Sequence, residues 1–364
     1  MKLRSAAAQG LALGVAGAAL WWVGRNAAIT LGEHGISLGF GFLRQPANFE
    51  IGDAPIAYDP SDSFARAILV GLANTARVSV LGWVFAIGFG FVLGILRLST
   101  NPAVRGVARA IVELVRNVPL LLLLLFLAAT VNALPPARGA LEPIPGVFVS
   151  DRGLVLPSIG LAAWQWSLGA ILVGILVAGI GRPAWRRTRT WIVIASTAAV
   201  ALAAPLILDP PAVDRPVLSG FNFVGGTTIS PELTALLAAL VLHHAAHISE
   251  VVRGAVLAVS SRQRDAAHAL GLSRAQTMRF VVVPQALRAM VPLLATNCVS
   301  LTKNSSLAVA IGFPDVVSIL NTTANQTGHA IETMLLMIVV YLTLSLVVAA
   351  GMDAYNRRLL RPGA

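Results

Sequence analysis

The sequence predicts an all-α membrane protein with about eight transmembrane helices. Its composition is 56% hydrophobic and 12% charged, with a mean hydropathy of +0.78, and this lies outside the range of soluble domains. The apolar residues form long continuous runs without the alternation that a barrel strand shows. Because only helices and closed barrels satisfy backbone polar groups in lipid, we interpret these runs as helical spans.

Eight segments approach the roughly 20 residues that a helix needs to cross a bilayer core of about 30 Å. The first segment is interpreted as a retained span in preference to a cleaved signal peptide. Trp21 and Trp22 favour a retained span with an aromatic anchor, whereas Lys2 and Arg4 before an apolar stretch are typical of a signal peptide. The seventh segment is long enough to contain a break. The predicted spans are residues 5–24, 68–96, 111–131, 154–180, 190–208, 232–256, 285–313 and 333–354.

The basic residues lie mainly on one side of these spans. The net charge is +11, and nineteen of the 27 Lys and Arg residues fall in alternate loops and the adjoining span ends. The positive-inside rule then places both termini and the loop at residues 262–284 in the cytoplasm. The same clustering explains the positive charge by membrane orientation, so nucleic acid is not expected as a partner.

A polar insert with helix-forming residues interrupts the apolar chain at residues 262–284. Ala266, Ala267 and Leu270 favour a short helix. Gly271 follows them, at a position where a left-handed C-cap is least strained. The first half of the insert is therefore predicted to be one helix that ends at the glycine.

The second half of the insert contains the pattern of another short helix. Ser273 and Gln276 match a capping box, in which each residue satisfies a backbone N–H near the helix start. This helix is expected to end before Pro284, because a proline pushes the preceding residue away from helical geometry. Two short helices joined at a glycine form a compact knob onto which another protein can dock.

The insert resembles the coupling loop of ABC-importer permeases. In that loop an acidic residue and two alanines are followed by three residues, a glycine and a later proline. Asp265 stands here where the family usually has Glu. The resemblance extends over residues 64–358, and its flanking runs are similar to polar amino-acid permeases of the histidine and glutamine type. These runs are residues 113–120, 250–254, 284–288 and 303–307.

This resemblance implies a type I ABC importer permease core with a cytoplasmic coupling helix, in a bacterial inner membrane. It also implies import of a polar amino acid with two ABC ATPase subunits, a second permease subunit, identical or homologous, and a solute-binding protein at the outer face. The residues expected to couple to the ATPase are Asp265, Ala266, Ala267, Leu270, Gly271 and Pro284.

The chain itself is expected to be a transport subunit and not an enzyme. It contains no G-x-x-x-x-G-K-[ST] phosphate loop, so ATP and Mg²⁺ are expected on the partner ATPase and no cofactor on this chain. The expected organisation places an N-terminal helix and outer-face loop at 1–63 and the permease domain at 64–358. A helical hairpin is inserted around 154–208, and a cytoplasmic tail follows at 359–364.

Polar residues inside the spans are the candidates for a substrate path or gate, because a charge that faces lipid is costly. Lys303 interrupts the seventh span about 28 Å along the helix from Pro284. Either a water-filled path or snorkelling to the interface would accommodate its ammonium group. Arg77 likewise requires a partner or water. The candidates are Arg77, Arg116, Asn297, Lys303, Asn304, Ser305 and Ser306.

Glu250 and Arg253 lie three residues apart near the cytoplasmic end of the sixth span and are expected to pair on one helix face. A structural brace for the loop is favoured over a gating ion pair, because charges near a span end can also snorkel to water. His243 and His247 have the i,i+4 spacing of a metal pair, but no further ligand pattern accompanies them, so no metal site is expected.

The main alternative function is an ion-gradient-driven secondary amino-acid transporter. Such a transporter needs acidic or broken-helix ion sites near the middle of the membrane. Acidic residues are scarce within the predicted spans. The sequence therefore favours the ATP-driven importer.

Overall fold

A computed structural model describes residues 39–160 and 212–360, together with scattered positions between residues 11 and 29. Long helices dominate these residues. The helices are α1 Phe64–Leu96, α2 Pro102–Asn117, α3 Leu120–Asn132, α4 Pro231–Ala258, α5 Ser261–Ala269, α6 Arg274–Thr277, α7 Val283–Asn304, α8 Val316–Thr327 and α9 Ala330–Leu360.

Helix α4 connects the two ends of the bundle. It starts at Pro231, directly after the last β-strand, and ends at Ala258, about 42 Å away at helical rise. The Ser230 hydroxyl caps it by accepting a hydrogen bond from the Leu233 N–H at 3.3 Å. We call the end that carries the strands the sheet end, and the end that carries α5 and α6 the loop end.

Within the described ranges, four helical segments are long and apolar enough to cross a bilayer: α1, α4, the stretch Arg274–Ile311 and Ala330–Met352 of α9. They coincide with four of the predicted spans. The span predicted at 190–208 lies outside the described residues, and the span at 5–24 is described only at scattered positions, which are helical. The number of eight spans therefore stays a prediction.

The predicted span at 111–131 is wrong in part, because the chain bends by 104° between α2 and α3. Val118 has extended backbone angles, φ −92° and ψ 127°, and Pro119 directly precedes α3. Since a proline disfavours helical geometry in the residue before it, α2 stops at Asn117 and the chain restarts in a new direction. The two helices amount to a fifth crossing only if they are counted together.

The part of the chain that the structure describes contains eight short β-strands at the sheet end, and these correct the all-α prediction. Strands β1, β2, β3 and β8 form an antiparallel sheet in that order, and β4 with β5 and β6 with β7 form separate pairs. The strands are β1 Leu141–Ile144, β2 Val147–Ser150, β3 Gly153–Leu156, β4 Ser158–Gly160, β5 Ala212–Asp214, β6 Val217–Ser219, β7 Asn222–Val224 and β8 Thr227–Ile229.

These strands also correct the start of the span predicted at 154–180. Residues 153–160 form β3 and β4, and the rest of that span lies outside the described residues. A short apolar run does not distinguish a strand from the start of a helix by periodicity. Gly153 permits the pairing of β3 with β8, because it has φ +95° and a Cβ there would lie 2.1 Å from the Ile229 carbonyl oxygen.

Helices α1 and α4 pack closely through small residues. A Cβ added to Gly90 would lie 2.6 Å from the Cβ of Ile248, and one added to Gly94 would lie 2.7 Å from the Cβ of Val252. Small residues allow membrane helices to approach this closely and to gain van der Waals contact. The two helices therefore share the core of the bundle.

The substitution Gly90→Ala is expected to lower the free energy of unfolding by about 1–3 kcal/mol, because the new methyl group overlaps Ile248. Gly88→Ala is the matched control on the same helix, since its Cβ would meet nothing within 4 Å. Thermal unfolding of the two purified variants in detergent measures the difference. Equal transition midpoints would contradict the packing of α1 on α4.

Candidate functional site

The loop segment, residues 261–277, consists of α5, a tight turn and α6. Two backbone hydrogen bonds close the turn, from Gly271 N to His268 O at 2.9 Å and from Leu272 N to Ala267 O at 3.1 Å. Gly271 has φ +78°. This geometry is a Schellman motif, in which glycine avoids the roughly 1–2 kcal/mol that a side chain would cost in the left-handed region.

The predicted capping box of α6 is confirmed. The Ser273 hydroxyl accepts a hydrogen bond from Gln276 N at 3.3 Å, and Gln276 Oε1 accepts one from Ser273 N at 2.9 Å. The predicted helix end before Pro284 is wrong, because Val283 is helical and a π-helical turn, Met278–Val282, joins α6 to α7. A wider turn suits a proline, which lacks an N–H and crowds the carbonyl four residues earlier. The loop segment is therefore joined to a span through continuous helix.

The loop segment has a mostly exposed surface and two buried anchors. Ala267 and Thr277 are buried, whereas Asp265 and Ala266 are exposed. Leu270 is 82% exposed, the highest fraction among the large apolar side chains that the structure describes. Its side chain can fill a pocket on a partner without any rearrangement of the loop segment.

A charged cluster at the loop end, Glu250 with Arg97, Arg116 and Arg253, joins α1, α2 and α4. Arg97 Nη1 lies 2.6 Å from Glu250 Oε2, and Arg116 Nη1 lies 3.8 Å from the same oxygen. Arg253 donates a hydrogen bond to the other carboxylate oxygen, and Arg97 also donates to the Ser249 hydroxyl at 3.1 Å. Because the Arg97 side chain is only 9% exposed, its charge depends on this carboxylate.

One of the predicted path residues lies in the Glu250 cluster. The sequence predicts Arg116 as a candidate for the substrate path or gate, and the structure places it beside Glu250 and Arg253. Sequence reasoning missed the role of Arg97, because it counts only toward the excess of basic residues on one side of the spans and nothing in the sequence links it to Glu250. The one indication in the sequence that Arg97 faces a neighbouring helix is its position at a helix end after a row of small residues.

Arg77 lies toward the sheet end, where it has a partner. Arg77 Nη1 is 2.8 Å from Asp53 Oδ1, and Asp53 Oδ2 accepts a hydrogen bond from the Ser230 hydroxyl at 3.1 Å. Asn74 Nδ2 donates to the backbone oxygen of Asp53 at 2.6 Å. Asp53 therefore holds α1 beside the start of α4, and the Arg77 charge is paired there.

Two grooves between α7 and α9 share Lys303. The larger, of about 560 Å³, is also lined by Ser306 and Tyr341. The smaller, of about 360 Å³, is lined by Thr296 and Ser300 in addition to Lys303. Among the described residues the Lys303 ammonium makes no ion pair or hydrogen bond. A free cation and several hydroxyl groups thus follow one side of α7.

The other predicted path residues do not line these grooves. Asn304 Nδ2 lies 3.2 Å from His244 Nε2 of α4, the buried Ser305 hydroxyl donates to Thr302 O at 2.7 Å, and Asn297 donates to the backbone of its own helix. The predicted path residues therefore occupy several places and do not form one site. Within the described ranges, no group of three or more His, Cys, Asp or Glu residues could hold a metal ion.

Comparison with known proteins identifies relatives over most of the chain. Residues 170–361 match the family described as binding-protein-dependent transport system inner membrane component. The chain is 37% identical over 352 residues to the General L-amino acid transport system permease protein of Rhizobium johnstonii, covering 93% of this chain and 88% of the relative. It is 34% identical over 387 residues to the Glutamate/glutamine/aspartate/asparagine transport system permease protein of Rhodobacter capsulatus, covering 93% and 90%.

Solved structures of transporters share the fold. A chain from the crystal structure of an amino acid ABC transporter with histidines aligns with a TM-score of 0.51 at 18% identity, covering 81% of this chain and 95% of that one. A chain from the inward-facing MetNI methionine ABC transporter aligns with a TM-score of 0.50 at 15% identity, covering 84% and 100%. At these identities the likeness shows the fold alone.

The substitution Glu250→Gln is expected to lower the free energy of unfolding by about 1–3 kcal/mol, because three guanidinium groups lose one shared carboxylate. Glu113→Gln is the matched control. Its carboxylate pairs with a single arginine, and both side chains are more than half exposed, so a loss below about 1 kcal/mol is expected. Thermal unfolding of both variants measures the contrast, and similar losses would argue against the cluster as a brace.

Proposed function

The chain belongs to the inner-membrane component family of binding-protein-dependent transport systems and is a permease subunit of an amino-acid ABC importer. From this premise we propose that it moves polar L-amino acids inward by ATP-driven alternating access. The observation that carries the proposal is the continuous helical connection from the loop segment through the π-helical turn into α7. A displacement of the loop segment would move the helix that borders the Lys303 grooves.

In the proposed assembly, two ABC ATPase subunits contact the loop segment of this chain and of a second permease subunit. Asp265, Ala266, Leu270 and Gly271 form the docking face, while the buried Ala267 holds its shape and Pro284 joins it to α7. ATP and Mg²⁺ are bound by the ATPases. A solute-binding protein delivers the amino acid at the sheet end.

The proposed orientation follows the distribution of basic residues. The excess of Lys and Arg in the set of alternate loops that includes residues 262–284 supports a cytoplasmic loop segment and cytoplasmic termini in a bacterial inner membrane with eight spans. The loop end also carries the Glu250 cluster, in which arginines outnumber carboxylates by three to one. This placement brings the docking face to the compartment in which ATP is available.

The proposed substrate path follows the Lys303 grooves. Because the Lys303 ammonium has no partner among the residues that the structure describes, it can bind the carboxylate of an amino acid by a charge-assisted hydrogen bond. The larger groove, at about 560 Å³, is within the size range of small-molecule sites. The hydroxyl groups of Ser306 and Tyr341 line the same groove. Ser306 donates to Lys303 O at 2.8 Å and Tyr341 donates to Asp315 Oδ2 at 3.3 Å, so each can still accept a hydrogen bond from the substrate.

Transport in reconstituted vesicles tests the function. Vesicles that contain this chain, its partner permease and ATPases, and the binding protein are expected to accumulate amino acid only when ATP is supplied. Uptake should persist when ionophores collapse all ion gradients. Uptake that needs an ion gradient and no ATP would instead support a secondary transporter.

The substitution Leu270→Asp is expected to abolish ATP-driven uptake, because it places a charge where the partner would bury an apolar side chain. The thermal midpoint of the purified chain should not change, since this side chain is 82% exposed. Leu270→Met keeps the apolar volume and is expected to retain uptake. Full uptake by Leu270→Asp would contradict docking at this residue.

The substitution Lys303→Met is expected to raise the KM for amino-acid uptake by roughly tenfold or more, because it removes the cation that binds the carboxylate. Lys303→Arg retains the charge and is the control, with a smaller increase. Initial rates over a range of substrate concentrations separate KM from kcat. An unchanged KM in Lys303→Met would exclude this residue from the substrate path.

A further inference from the structure

Helix α2 is amphipathic, and two of its faces are apolar. Ala108 and Val112 are buried on the side that packs against the bundle. Next to this side lies an apolar stripe of Val107, Ile111 and Leu114, whose exposed fractions are 63%, 44% and 70%. Spacings of four and three residues place these side chains one above another on a single helix face. Within the described residues this stripe is exposed along its whole length.

The opposite face of α2 carries charge. Arg105, Arg109 and Glu113 follow one another at intervals of four residues and so share a face. At about 100° of rotation per residue, the centre of this row lies roughly 180° from the centre of the apolar stripe. Arg109 pairs with Glu113 at 2.7 Å, and Arg105 has no ion pair among the described residues. The row therefore presents a net positive charge to its surroundings.

The bend at Pro119 determines how this helix lies relative to the spans. Helix α3 packs against the bundle through its buried Leu124. Helix α2 begins at Pro102, shortly after the Arg97 that pairs with Glu250, and its last turn reaches the same carboxylate through Arg116, so both of its ends lie at the loop end, where it meets α3 at 104°. This contact of Arg116, near the C-terminal end of α2, with Glu250 links α2 to α4 at the loop end. A helix in this position lies at the boundary between lipid and water.

We propose that α2 is an interfacial helix, with its apolar stripe among the lipid acyl chains and with Arg105 and Arg109 bound to anionic phospholipid headgroups. We assign the apolar stripe to the bilayer and not to a protein partner, because it lies at the end of spans that are themselves surrounded by lipid. The arginine row on the far side complements the negative headgroup layer. The inference needs the membrane location of this chain and is independent of the transport mechanism.

Spin labels on α2 test the position of the helix. Cys298→Ala provides a background without the native, buried cysteine. Labels at Leu114→Cys and Arg105→Cys are compared in vesicles of equal parts phosphatidylcholine and phosphatidylglycerol. The Leu114 label is expected to collide mainly with oxygen, which concentrates in lipid, and the Arg105 label mainly with a water-soluble nickel chelate.

Two outcomes at Leu114 would overturn the proposal. Equal access of nickel to both labels would place the stripe in water. A Leu114 label that neither oxygen nor nickel reaches would mean that protein covers the stripe, either another part of this chain or a partner. A Val107→Cys label repeats the measurement about two helical turns earlier on the same stripe, so that a single poorly folded variant does not decide the result.

Competition between spin-labelled lipids tests the headgroup contact. The chain is expected to prefer phosphatidylglycerol to phosphatidylcholine, and the double variant Arg105→Gln, Arg109→Gln should lower that preference about twofold or more. Arg138→Gln removes a charge at the sheet end and is the control, with no comparable loss. An unchanged preference in the double variant would overturn the assignment of anionic headgroups to α2.

Discussion

The close approach of α1 and α4 is the constraint on which the loop end of the bundle depends. Gly94 leaves room for Val252, and three residues further along α1 the Arg97 guanidinium reaches Glu250. If the helices stood further apart, an almost fully buried arginine would lose its carboxylate, and an unpaired charge at such a depth costs several kcal/mol. The glycine contact and the ion pair thus stabilise the same arrangement, one through shape and the other through charge.

The features that the sequence predicted correctly depend on partners a few residues apart. Gly271 closes a turn with its own helix, and Ser273 and Gln276 cap each other, so the residue types alone indicate the geometry. Arg97 and Ser249 are 152 positions apart, and their contact exists only after α1 and α4 have packed. The strands at the sheet end were missed for a different reason, because a short apolar run fits a strand and a membrane helix equally well.

Helix α7 joins the loop segment to the grooves and contains one weak point. At its start Gln285 donates to Gln263 of α5 at 2.6 Å, which holds the first turn against the loop segment. Pro292, inside the helix, removes one backbone hydrogen bond and also lines the smaller groove. Motion of the loop segment would therefore carry the first turns of α7 as a unit and bend the helix at Pro292, beside the proposed substrate path.

With α2 anchored in the membrane surface, one helix of the bundle would stay in place while the loop segment moves. Helix α2 touches the Glu250 cluster through Arg116, while its apolar stripe would resist leaving the lipid. The cluster would then lie at the depth of the headgroups, where arginines keep part of their hydration and a group with three cations and one carboxylate is tolerable. Movement of the loop segment would be opposed at α4 by this anchor, whereas the loop segment continues into the first turns of α7 through unbroken helix.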